Sequence, residues 1–248
     1  MAHALKHCVL FSCILLIVVS CERSGRDAVP SGRIFNVLRV QEPPAVDGIL
    51  NDECWHRAEA SSLVLCADGA NPDYPTTVRI LYDDSMLYVG FECRDLDAAG
   101  TVSERDGPVD REEHVTLCID ADADTLTYAV VSFSPTGVVW DAFVMEQKGG
   151  ATKKILSDWN CEGLRSSVSV YGGGPKPGTE DRFWTVEIAL PLSELYTAPR
   201  IPPADGDAWR FNSFRLEMTG GREYSALSPT GSVDGYNSEA FAWLLFGG

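Results

Sequence analysis

Apolar and polar residues alternate along most of this chain with a period of two, and no long stretch shows the 3.6-residue period of an amphipathic helix. Val78, Ile80 and Tyr82 alternate, Asp83, Asp84 and Ser85 carry turn chemistry, and Leu87, Val89 and Phe91 alternate on the way back. That is the pattern of a hairpin. Residues 115–119 predict a strand, 128–133 another, and 138–143 its hairpin partner across 134–137. A polar loop at 95–110, a long loop at 146–159 and an exposed glycine-proline connection at 172–178 separate further strands at 166–171 and 184–190. In the last of these Trp184, Val186, Ile188 and Leu190 share one face, with Thr185 and Glu187 on the other. A single helical turn at 191–195 follows. Trp209 and Phe211 then alternate with Arg210 and Asn212, and 241–246 closes the series. Short strands at such intervals predict an all-β fold, a two-sheet antiparallel β-sandwich.

The first 20 residues read differently. Lys6 gives a basic start and 9–19 is an apolar run broken by Ser12, too short for a membrane span of about 20 residues. Val18, Val19 and Ser20 before Cys21 resemble the lipobox of bacterial lipoproteins, in which Cys21 would be acylated and become the mature first residue. A plain cleaved signal peptide or an uncleaved anchor is the alternative. The expected organisation is a signal peptide at 1–20, a polar tether at 21–34 and one domain at 35–248, long enough for a substantial core.

Charge narrows the partners. The chain carries 20 basic and 36 acidic side chains, and removing Lys6 with the leader leaves 19 against 36, a net charge of −17. Such a surface repels nucleic acid and anionic headgroups and is compatible with neutral sugars and divalent cations. Five of the eight cysteines lie beyond Cys21: Cys54, Cys66, Cys93, Cys118 and Cys161. An odd number cannot pair completely within one chain. Cys93 continues the Leu87, Val89, Phe91 face, Cys118 faces away from Val115, Leu117 and Ile119, and both read as buried thiols. A Cys54–Cys66 bridge stays open.

Catalytic signatures are missing. Beyond the leader only His56 and His114 occur, neither in a zinc-chelating spacing. There is no GxSxG elbow, and Gly172–Gly174 leads into Pro-Lys-Pro, so no phosphate loop forms. Glycosidase chemistry needs two placed carboxylates, and no pair stands out among so many. The expectation is a protein that is not an enzyme.

Six segments, in order, resemble the carbohydrate-binding family 9-like domain. They are VDGILNDECW at 46–55, VRILYDDSMLYV at 78–89, EEHVTLCID at 112–120, Pro135-Thr136-Gly137 with Asp141, WTVEIALP at 184–191, and GDAWRFN at 206–212 before the closing strand. The resemblance implies a jelly-roll-type, immunoglobulin-like sandwich and a non-catalytic role in binding a polysaccharide or oligosaccharide. In sugar binders of that family two tryptophans sandwich a terminal sugar and an arginine assists. Here those positions fall at Asp110, at Gly235 or Tyr236, and near Ser132. The clamp therefore has to be rebuilt from other groups. Trp159, in a polar loop, and Tyr236 with Asn237 are the first candidates, with Trp140 and Tyr74 behind them. Asp110, Arg111 and Glu112, in a polar run that continues to Glu113 and His114, would supply hydrogen bonds or form a solvated rim. Trp55, Trp184, Trp209 and Trp243 read as core.

Asp120, Asp122 and Asp124 alternate as hard oxygen donors for calcium, a structural ion that members of the family carry; a solvated acidic turn is the alternative. The functional expectation is a binding module anchored by lipid to the bacterial cell envelope, at the outer membrane. Two other readings stand beside it: a structural lipoprotein whose sandwich contacts a protein partner, and a haem carrier of the same fold using Met86, Met145, Met218 or a histidine.

Overall fold

A computed structural model describes residues 32–147, 152–172, 181–233 and 235–247. The leader, Cys21 and nearly all of the tether lie outside the described residues, as does most of the 172–178 connection. In chain order the strands are β1 (Ile34–Arg39), β2 (Ser61–Ser62), β3 (Val64–Leu65), β4 (Thr76–Tyr82), β5 (Met86–Arg94), β6 (His114–Asp120) and β7 (Thr127–Phe133). They continue with β8 (Val139–Glu146), β9 (Lys153–Leu156), β10 (Arg165–Gly172), β11 (Asp181–Pro191), β12 (Ala208–Glu217), β13 (Glu223–Ala226) and β14 (Ala242–Gly247). One short helix, α1 (Glu53–Arg57), lies between β1 and β2.

The strands pair in the order β10-β11-β5-β4-β1-β14-β12-β6-β7-β8-β9, with β13 laid on β12 and β3, and β2 on β4. The hairpin read from alternation forms as β4–β5, Ile80 opposite Val89 and Tyr82 opposite Leu87. The ribbon curls into two layers. Val89 and Phe91 of β5, Val186 and Ile188 of β11, Leu117 and Ile119 of β6, and Val131 and Phe133 of β7 all enter one buried cluster. This is the expected sandwich, with one departure from antiparallel order. β1 runs parallel to both β4 and β14 and joins the layers. Alternation reports which face a side chain takes and is silent on strand direction.

Three further details differ from the sequence reading. The segment 146–159 is not all loop, because β9 pairs back on β8 with Phe143 opposite Leu156. Its Lys153, Lys154 and exposed Ile155 lack alternation, as suits an edge strand guarded by lysines. Trp243 is half-buried, not core: Ala242 and Leu244 point inward, so it points out, with the Arg210 guanidinium 5.0 Å from its ring. Cys54 is a thiol packed beside Trp55, while Cys66 lies in a separate cluster with Tyr128 and Phe214, so no Cys54–Cys66 bridge forms.

The outer face of β11 is polar yet buried. Glu187 receives the Trp55 indole N–H at 2.7 Å on one oxygen, and the backbone N–H groups of Asp47, Gly48 and Ile49 at 2.9, 2.8 and 3.2 Å on the other. Gly48 has φ +89°, and a Cβ there would sit 3.0 Å from the Val168 backbone. Only glycine fits both the left-handed turn and the close approach.

Candidate functional site

The outer face of the β12-β6-β7-β8 layer carries a second, smaller apolar cluster that includes Cys66, Cys118, Tyr128, Val130 and Phe214. Period-two alternation puts Cys118, Tyr128, Val130 and Phe214 opposite the main core, and Cys66 joins them from the turn after β3. At one end of this face, register sets Thr116 of β6 beside Phe214 of β12, and His114 beside Leu216. β13 continues the surface with Tyr224 opposite Leu216.

A cleft of ≈ 200 Å³ opens over this floor, lined among others by Asp110, His114, Thr116, Phe214, Tyr224 and Tyr236. A short 3-10 turn at Val109–Arg111 brings Asp110 to the rim. The Tyr236 ring tilts against Phe214, centroids 5.7 Å apart. A Cβ on Gly235 would lie 2.6 Å from that phenylalanine, so the chain passes there only because the residue is glycine. Lys153 fixes the far side, its Nζ donating to the Tyr236 carbonyl at 2.6 Å and standing 5.9 Å from the ring centroid. Beneath the floor the Thr116 and Ser132 hydroxyls are 2.7 Å apart, with half-buried Trp140 opposite Ser132.

The three positions that the family resemblance assigns to the sugar clamp thus meet at one place. Asp110 and Gly235 with Tyr236 line the cleft, and Ser132 bonds the floor residue Thr116. The other candidates lie elsewhere. Trp159 packs edge-on to Phe143 at 6.1 Å, against the main core. Phe143 and Val144 are neighbours on β8 and point to opposite faces, so Trp159 and Tyr236 share no surface. Glu112 is engaged, accepting the Thr101 and Val102 N–H groups at 2.8 and 3.0 Å and the Thr101 hydroxyl. Those bonds, the Thr101 hydroxyl first, hold its carboxyl below the usual range. Arg111 lines a separate depression with Glu112 and Thr101, Asn237 is exposed just before a 3-10 turn, and Tyr74 belongs to a neighbouring groove.

Electrostatics sharpens the picture. His114 is buried and burial lowers its pKa, and its Nδ1–H donates to the Glu112 carbonyl at 2.7 Å. The ring therefore enters the cleft wall neutral at pH 7. Behind the floor, fully buried Arg215 meets Asp95 at 3.1 Å, Glu113 at 2.7 Å and Glu217. It also donates to the Arg94 carbonyl at 2.6 Å. Burial pushes Glu113 up to about 10, so it holds its proton at neutral pH and lessens the excess of carboxylates around one guanidinium. These three acids lie close enough together to bind a cation, but Arg215 already stands as their counter-charge. This anchor has no signal in sequence beyond an arginine in an otherwise buried strand.

The second acidic group is open to a metal. Carboxylate oxygens of Asp120, Asp122 and Asp124 lie within 4.8 Å of one another, Asp120 buried and the other two exposed. The Thr125 N–H at 2.9 Å holds Asp120 from behind. Burial first, then Asp122, pushes its carboxyl up to about 7. Hard oxygens at one loop suit calcium among the biological cations.

No protein-family model matches the chain, and no curated protein matches it. Solved structures do. A protein from Bacteroides uniformis to which carbohydrate binding is ascribed superposes with a TM-score of 0.69 at 14% identity, covering 87% of this chain and 100% of that one. A family 9 carbohydrate-binding module from Caldicellulosiruptor kristjanssonii, in complex with cellotriose, gives 0.55 at 15% identity over 87% of this chain and 94% of the other. A family 9 module from the same organism in complex with glucose gives 0.53 at 15% identity, over 87% and 96%. The chain has the fold of the family 9 carbohydrate-binding modules, as its motifs imply.

Proposed function

We propose that this protein is a non-catalytic carbohydrate-binding module that takes a sugar in the cleft beside Tyr236, and that a lipid on Cys21 holds it to the bacterial cell envelope. One observation carries the sugar reading: Asp110, Gly235 with Tyr236, and the Ser132–Thr116 pair converge on a single cleft although they are far apart in sequence. The cleft combines an aromatic face, a neutral imidazole, a hydroxyl and a carboxylate, the mixture that stacks on and hydrogen-bonds a pyranose. The similar modules in complex with glucose and cellotriose support a saccharide as the ligand class. With a single tyrosine in place of two tryptophans, affinity falls in the weak range, about millimolar.

Calorimetric titration with glucose and cellotriose tests this directly. Saturable binding that Tyr236→Ala removes supports the module. No heat from either sugar at tens of millimolar turns the sandwich into a scaffold for a protein partner. The anchor has its own test: with the leader cleaved, Cys21→Ser should release the protein from the membrane fraction, because the lipid is then the attachment. Among the described residues no helix is long and apolar enough to cross a membrane. A Cys21→Ser protein that still sediments with membranes refutes the anchor.

A further inference from the structure

The cleft is not closed at its β13 end. A second concavity of ≈ 440 Å³ adjoins it, lined by Asp73, Tyr74, Thr219, Arg222 and Glu223 among others. Tyr224 and Val233 line both. We infer that the two form one continuous groove and that the ligand is a neutral oligosaccharide lying along it, not a single terminal sugar; this rests on the sugar-binding reading above.

Four observations lead there. The first cleft, ≈ 200 Å³, is smaller than the roughly 300–1,000 Å³ usual for a ligand site, while its neighbour doubles that space and more. The groove is also pre-formed. Glu223 accepts the Asp73 and Tyr74 backbone N–H groups at 2.8 and 3.1 Å, pinning one wall to β13. The Cys66 N–H donates to the Tyr224 carbonyl at 2.9 Å, and the Cys66 carbonyl accepts from Thr230 and Gly231 at 3.1 and 3.0 Å, fixing the loop that carries Val233. A binding surface held by backbone bonds loses little entropy on engagement.

The third observation is aromatic. Tyr236, Tyr224 and Tyr74, all half-buried, follow one another from cleft to groove, so stacking surface missing from the clamp is spread along the chain of sugars instead. The fourth is charge. Asp110, Asp73 and Glu223 face the groove against Arg222, because the other lining arginine, Arg215, turns its buried guanidinium to Asp95, Glu113 and Glu217, in a protein of net charge −16. Uronate or sulfated chains would meet like charge, whereas neutral hydroxyls find carboxylate acceptors.

Calorimetry on the full chain with glucose, cellotriose and cellohexaose distinguishes the alternatives. Affinity should rise about tenfold or more from glucose to cellohexaose. Tyr74→Ala should weaken cellohexaose by about 5- to 150-fold, the range for one lost stacking surface, and leave glucose unchanged. Amide chemical-shift mapping on the parent protein reads the same point without a substitution: cellohexaose should move Tyr74, Thr219 and Arg222, and glucose should move only the Tyr236 end. Equal affinity for glucose and cellohexaose, or shifts confined to the Tyr236 end with both, overturns the groove and leaves the sugar module standing. No binding of any of the three overturns both.

Discussion

The Trp55 indole nitrogen donates to Glu187 across 2.7 Å, joining two residues 132 positions apart in the chain. The same carboxylate gathers three successive backbone N–H groups from the turn at Asp47–Ile49. Two of the motifs that carry the family resemblance, one ending in Trp55 and one centred on Glu187, are therefore the two halves of a single buried joint. Glu187→Ala would leave three donors without an acceptor, the Trp55 indole and the Asp47 and Gly48 N–H groups, while the Ile49 N–H keeps the Asp47 carboxylate at 2.9 Å. At roughly 1–3 kcal/mol for each orphaned buried group, the loss should exceed about 3 kcal/mol even after water enters. Glu187→Gln retains one carbonyl oxygen and should cost less. Denaturant melts of both variants check the ranking, and an Ala variant within about 1 kcal/mol of the parent would mean the joint contributes little.

Trp184 tests the main core. Its side chain is fully buried among Val186, Ile188 and their facing residues, with the Arg215 guanidinium 5.9 Å from the ring centroid. Trp184→Ala should destabilise by roughly 3–5 kcal/mol, the range for truncating a buried large aromatic. A loss under about 1 kcal/mol would contradict the register of β11.

Alternation made the inward faces of β4, β5, β6, β7 and β11 legible, because a half-buried strand writes its burial into every second residue. It failed where burial comes from another source. Thr185 and Glu187, polar and on the face opposite Trp184, are buried because Trp55 of α1 and its preceding turn bond to them. β9 has no alternation to read, since it is an exposed edge. The parallel placement of β1 leaves no trace in its own residues. At the site, Asp110 and Tyr236 were reachable through the motif order alone. The floor from Thr116, Phe214 and Tyr224 depends on strand register, which single-strand patterns do not encode.

Trp159 illustrates the same limit. A tryptophan in a polar loop suggests a ligand platform, yet its ring closes the edge of the core against Phe143. Trp159→Ala should therefore lower stability by about 1–3 kcal/mol, less than a fully buried aromatic because the residue is part-exposed, and leave glucose binding unchanged. Tyr236→Ala should do the reverse, weakening sugar about 5- to 150-fold. Paired melts and titrations decide, and a Trp159→Ala protein that keeps its stability but loses sugar would reverse the two roles.

Calcium binding at Asp120, Asp122 and Asp124 would carry a pH signature. Burial and the two neighbouring aspartates raise Asp120 to about 7, from roughly 4 in an unfolded chain. Arg210, opposite on β12, is the cation facing it, and it does not offset burial. A group raised in the folded state binds its proton more tightly there, so stability without calcium should fall as pH rises from about 4 through about 7. Calcium needs the ionised carboxylate, and its affinity should decline as pH drops below about 7. Added calcium should thus raise the melting temperature clearly at pH 8 and hardly at pH 5, and Asp120→Asn should abolish the difference. Equal shifts at both pH values, or none at either, would reduce the three aspartates to a solvated turn.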